Sequence, residues 1–187
     1  MPASKWIPLV LIIVLCNLKS FGQLKWDSSS SIKWNNFKGI PNSNFKYEAN
    51  TYSIINCEYA GSGNCFFYKV EALFLEEKSW CYIDTTNNLL KHEQGHFDIS
   101  EIYARMIRRY LEMNLKKGVA NSTIQKGIDS LQRLKNQCQD LYDRETNHSQ
   151  DISEQIKWQI KIKDLLRSLN YYSITSYNNC DNTNDSN

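Results

Sequence analysis

The pentapeptide His92-Glu93-Gln94-Gly95-His96 constrains this chain more than any other feature, because its chemistry needs a helix under it. Residues four apart on a helix lie about 40° apart on one face. His92 and His96 can therefore present two imidazoles to one metal ion, with the Glu93 carboxylate projecting beside them. Two imidazoles and a carboxylate at this spacing are the parts of a Zn²⁺ hydrolase site with its general base included. The chain has three histidines, and two of them are here, so the pattern is hard to attribute to composition.

The flanking sequence supplies the helix. Thr85-Thr86-Asn87 offers a cap, and helical spacing runs from about Asn88 to Lys117, where Gly118 ends it. Asn121-Ser122 caps a second helix to about Tyr142. Its Ile124, Ile128, Leu131, Leu134, Cys138 and Leu141 recur at helical intervals and read as core. Residues Asp143 to Asp151 read as a loop, and Ser153 caps a third helix to about Asn170. Upstream, Trp34 to Tyr82 is rich in aromatic and β-branched residues and reads as antiparallel strands. The main hairpin is Tyr47–Tyr59 with Phe66–Phe74 around the Gly61-Ser62-Gly63 turn. In its second strand, Phe67, Lys69 and Glu71 alternate with Tyr68, Val70 and Ala72, which leaves one face polar. The expected fold is α+β: a small antiparallel sheet packed on a long H-E-x-x-H helix, followed by two further helices.

At the start of the chain, Lys5, an apolar run from Trp6 to Cys16 and the small residues of Ser20-Phe21-Gly22 read as a secretory signal cleaved before Gln23. The run of about eleven residues is too short to span a bilayer, so no stable membrane anchor is expected. Cys16 follows Leu15, where a lipobox needs a small residue, which argues against lipidation. Residues 23–177 form one domain, and the polar segment from Asn178 to Asn187 reads as a disordered tail.

Removing the signal takes away Lys5 and Lys19 and no acid, so 22 basic against 20 acidic residues become 20 against 20. A neutral domain without a basic stripe excludes nucleic acid as an expected partner, and Arg108-Arg109 and Lys116-Lys117 read as solvated helix positions. Export permits disulfides among Cys57, Cys65, Cys81, Cys138 and Cys180. Cys57 and Cys65 flank a turn and form the expected local bridge, while Cys81 and Cys138 read equally well as buried thiols.

A catalytic zinc takes three protein ligands and keeps an open position, so a third ligand must come from elsewhere. On the same helix Glu101 lies about 180° from His92 and Asp98 about 120° behind it, so neither faces the metal. His148, the one remaining histidine, is the expected third ligand, with Asp143 and Glu145 as carboxylate alternatives. Asp98, Glu101 or Asp143 are candidates to accept from the second nitrogen of a bound imidazole. Tyr142, close in sequence to His148, is a candidate donor to the developing oxyanion.

Several blocks together resemble the DUF922 family, a group of bacterial secreted proteins regarded as zinc-dependent proteases. They are Trp34 to Pro41, Lys78-Ser79-Trp80, Leu89 to Ile99, Tyr142-Asp143 and Thr146-Asn147-His148, spread over roughly Trp26 to Trp158. The resemblance implies a zincin-like peptidase with His92 and His96 as ligands of one Zn²⁺, Glu93 as base and a peptide or protein as substrate. It also implies a bacterial periplasmic or secreted location. This chain departs from the family pattern in having Asn36 in place of an acid and Ser149 in place of a glycine after the loop histidine.

The expected reaction is peptide-bond hydrolysis, with Glu93 taking the proton of a zinc-activated water and passing it to the leaving amine. The competing expectations are an exported binding or scaffold protein with a structural metal, and a zinc amidase acting on cell-wall peptides. An intact Glu93 argues against a structural metal, which has no use for a base there.

Overall fold

The computed structural model describes residues 22–41, 48–82 and 86–180, so the expected signal segment lies outside it apart from Gly22, as does 181–187 of the expected tail. The order is β1 (Gln23–Lys25), β2 (Ala49–Asn50), β3 (Ser53–Ser62), β4 (Cys65–Leu75), β5 (Trp80–Cys81), α1 (Asn87–Lys116), α2 (Asn121–Glu145), α3 (Ile152–Ser168) and β6 (Ser176–Asn178). The fold is α+β, with small antiparallel sheets and three α-helices among the described residues.

The hairpin β3–β4 is the backbone of the larger sheet, running in register from Ser53↔Phe74 to Ser62↔Cys65. Its two-residue turn has Gly63 at φ 64, a left-handed conformation that costs glycine nothing. Strands β1 and β6 also pair with β4, and β2 pairs with β5 in a separate ribbon. The strand period of two sends Phe66, Tyr68, Val70, Ala72 and Phe74 to one face, where they meet Phe97, Ala104, Ile107, Leu111 and Leu115 of α1. Glu71 points the other way but is itself buried, held by Lys25 at 2.6 Å and Lys69 at 3.4 Å, so the face expected to be polar is partly covered.

Helix α1 begins where expected, with the Thr86 hydroxyl accepting from Leu89 N at 3.2 Å. Its other flank, Ile99 and Ile102, packs against Tyr142 of α2 and Trp158, Ile162 and Leu169 around α3. A helix of 30 residues is thereby enclosed by the sheet on one side and two helices on the other.

Several expectations are corrected. Arg108 is not solvated: it is 0% exposed, with Nε and Nη2 donating to Val70 O at 3.0 and 2.8 Å and Nη1 to Glu101 at 2.8 Å. Its apolar neighbours on α1 sit between sheet and helices, and the guanidinium satisfies a strand carbonyl there. Cys57 is opposite Val70, far up the ladder from Cys65, which is bonded to Cys180 instead. Residues 178–180, assigned to a disordered tail, are tied down by that bridge and by β6. Leu134 is 46% exposed rather than core. Helix α3 is capped by Asp151, not Ser153, its carboxylate accepting from Glu154 N at 3.0 Å. Helix α2 starts after Ala120, so Asn121 and Ser122 lie inside it rather than capping it.

A candidate metal centre on the motif helix

The motif occupies the second turn of α1, with His92 2% and Glu93 3% exposed. Helix α2 crosses it. The expected loop at Asp143 does not begin there: α2 continues to Glu145, which keeps Gln139, Tyr142, Asp143 and Thr146 on one helical face toward α1. Asp143 Oδ1 lies 3.0 Å from His92 Nε2 and 2.8 Å from His96 Nε2, and the two Nε2 atoms are 3.2 Å apart. These three residues can each offer one ligand atom to a common ion. Ligands of a tetrahedral zinc at 2.0–2.1 Å are about 3.3 Å from one another, close to this spacing.

The surrounding hydrogen bonds orient both rings for that role. Gln139 Nε2 donates to His96 O at 2.9 Å, which turns its Oε1 to His96 Nδ1. Gln155 Nε2 donates to the Tyr142 hydroxyl at 2.5 Å, leaving its Oε1 2.9 Å from His92 Nδ1. Each Nδ1 therefore meets an acceptor and carries a hydrogen, so in the neutral rings each Nε2 presents a lone pair to the centre. Two lone pairs and a carboxylate oxygen at hydrogen-bond distance are held together by a proton or by a metal ion between them. Burial lowers the proton affinity of His96, but the hydrogen bond and charge of Asp143 outweigh it and push its pKa up to about 9. Burial alone would raise Asp143; hydrogen bonds to the two histidines dominate and hold it below the usual carboxylate range. A metal ion satisfies the same demand, so the donor set fits zinc.

Glu93 stands apart from this ring of contacts. Its Oε2 is buried and has no hydrogen-bond partner among the described residues, and Glu93 lines the same cleft of about 690 Å³ as His92, His96 and Asp143. Segment 48–53 forms the opposite wall, tied to the motif by Thr51 Oγ1 donating to Glu93 O at 3.2 Å.

Other expected site residues fall elsewhere. His148 lines the cleft, but its Nδ1 is 3.7 Å from Asp143 and it lies outside the three-residue cluster. Glu145 accepts from Trp158 Nε1 at 2.8 Å. Tyr142 is corrected: it is fully buried behind His92, rings stacked at 4.5 Å, with its hydroxyl donating to His92 O at 3.3 Å. A phenol facing away from the cleft cannot donate to a substrate oxygen. Its place explains the motif's glycine, since a Cβ at Gly95 would stand 2.8 Å from Tyr142 Cζ. Asp98 and Glu101 do not support the histidines either; Asp98 accepts from Trp26 and Gln94, and Glu101 from Arg105 and Arg108. Gln139 and Gln155 take that role. The signal for Gln139 was present in the 139, 142, 143, 146 spacing, once the helix is carried past Tyr142.

Among the described residues, no helix is long and apolar enough to cross a membrane. In comparisons with known proteins, no family model, no curated protein and no solved structure matches this chain.

Proposed function

We propose that this protein is a secreted zinc-dependent peptidase of zincin-like architecture, related to the DUF922 family, with His92, His96 and Asp143 as metal ligands and Glu93 as general base. The observation that carries the reading is the meeting of two oriented Nε2 atoms and one carboxylate oxygen beside a buried carboxylate whose Oε2 has no partner among the described residues. Bound zinc supplies Lewis acidity, polarising a carbonyl and acidifying a water.

Glu93 holds the proton during the reaction. Its Oε2 accepts it from the attacking water and returns it to the leaving nitrogen, which the absence of a competing donor to that oxygen among the described residues favours. Gln139 and Gln155 keep both imidazoles in one tautomer. Segment 48–53 offers an extended wall along which a peptide substrate lies. His148 stands at the rim, near Asp143 and within reach of bound substrate.

The test is metal content and peptidase activity of the purified protein, wild type beside Glu93→Gln. About one zinc per chain in both, with hydrolysis reduced about 10²–10⁴-fold in the variant, is the expected outcome. Zinc undiminished in both His92→Ala and His96→Ala would remove the proposed centre.

A further inference from the structure

Helix α1 walls a second cavity on the side away from the histidines. A groove of about 1020 Å³ runs between α1 and α3 beside the Trp26–Ile32 segment. Its apolar lining comes from Trp26, Ile32, Leu90, Ile162 and Leu166. At one end is Arg105, 3% exposed, with Nε on Glu101 at 2.9 Å, Nη1 on Leu166 O at 2.7 Å and the Trp26 ring 5.1 Å from its guanidinium. Its Nη2 donates no hydrogen bond to a described residue.

Arg105 does not have a carboxylate to itself. Glu101 also receives Arg108, at 2.8 and 3.2 Å, so one buried carboxylate faces two buried guanidiniums. Asp98 lines the groove but is occupied by Trp26 Nε1 at 2.8 Å and Gln94 Nε2 at 2.7 Å, and it makes no ion pair with Arg105 among the described residues. Lys163 and Lys91 add positive charge, as does Arg167, which also pairs with Asp164 at 3.4 Å; Asp27 is the one other acid in the lining. A guanidinium that lines a groove with an N–H to spare is a ready donor to an anionic ligand there.

We infer that this groove binds a long-chain carboxylate, its head on Arg105 Nη2 between Lys163 and Arg167 and its tail along Leu90, Ile162 and Leu166. A planar carboxylate suits the remaining donor of a guanidinium. The volume is at the upper end for small-molecule sites. A bound peptide is disfavoured, because two helices form most of the lining, their main-chain groups are bonded internally, and they offer no strand edge for an extended chain.

The full chain is titrated by calorimetry with dodecanoate below its aggregation concentration, and in parallel with dodecanol and acetate. Expected are one dodecanoate per chain and affinities at least about tenfold weaker for dodecanol, with no binding of acetate, as a charge-assisted hydrogen bond plus tail burial requires. The double variant Lys163→Glu, Arg167→Glu changes exposed residues and keeps the fold; it weakens dodecanoate about tenfold or more. Arg105→Lys, checked by circular dichroism, weakens it as well. A carboxylate can also ligate a metal in the other cleft, so every titration is repeated with chelator, which leaves groove binding unchanged. Equal affinity for dodecanoate and dodecanol, no binding of either, indifference to the double charge reversal, or loss of binding on chelation would each overturn the assignment.

Discussion

Asp143 and His148 are five residues apart, and only one of them touches both motif histidines. That contact ranks their substitutions. Asp143→Ala is expected to lower zinc affinity more than His148→Ala does, because it removes an atom at 2.8–3.0 Å from both Nε2 atoms. Zinc competition with a chromophoric chelator measures both; a larger loss in His148→Ala would restore the loop histidine as third ligand. Tyr142→Phe keeps the ring stacked on His92 and removes two hydrogen bonds, to His92 O and from Gln155. Its expected cost is about 1–2 kcal/mol in denaturant unfolding, with turnover within a few-fold of wild type. A loss of a hundredfold in kcat with the metal retained would return the phenol to the chemistry. At this scale the motif itself was legible, because H-E-x-x-H is a local pattern on one helix. The third contact was not, since it depends on where a second helix stops.

That stopping point is an element-scale matter. Nothing between Tyr142 and Glu145 breaks a helix, and the loop reading rested on polarity alone; the Tyr142 ring and Thr146 hydroxyl, both buried against α1, hold the extra turn in place. The chain then leaves α2 through three consecutive left-handed residues, Asn147, His148 and Ser149, at φ 44, 49 and 74. Asn tolerates that region, whereas Ser does so at a cost. Ser149 thus has the most positive φ of the three. Ser149→Gly is expected to raise stability by up to about 1 kcal/mol with zinc affinity unchanged. Denaturant midpoints at equal m-value test this, and a lower midpoint would mean that the serine side chain does more than bear the strain. Helix α1 and the hairpin were readable from period and turn chemistry. Strands β1 and β6, three residues each, carry no period to read and exist because β4 offers them a partner.

For the whole molecule, the candidate centre joins α1 to α2 through side chains only, so binding a metal there is linked to their packing. Zinc in tenfold steps above its dissociation constant is expected to stabilise the fold by about 1.4 kcal/mol per step, and chelation to remove that gain. Thermal unfolding at fixed protein concentration checks it; a midpoint indifferent to zinc would mean that the ion does not bind the native state. The long-range bridge was not legible. Cysteine spacing favours near neighbours, and only the return of the C-terminal strand to β4 brings Cys180 beside Cys65.

That bridge, 115 residues long in sequence, gives the molecule an unusual tolerance of being cut. All three helices lie inside its ring, so a single backbone scission anywhere between Cys65 and Cys180 yields two fragments still joined through sulfur. A nick between the two helices would then cost continuity without releasing the half that holds His92 from the half that holds Asp143, which suits the peptidase role proposed above. Limited proteolysis followed by electrophoresis should show the nicked protein running as one species without reductant and as two with it. Fragments parting before any thiol is added would show that the ring is not closed.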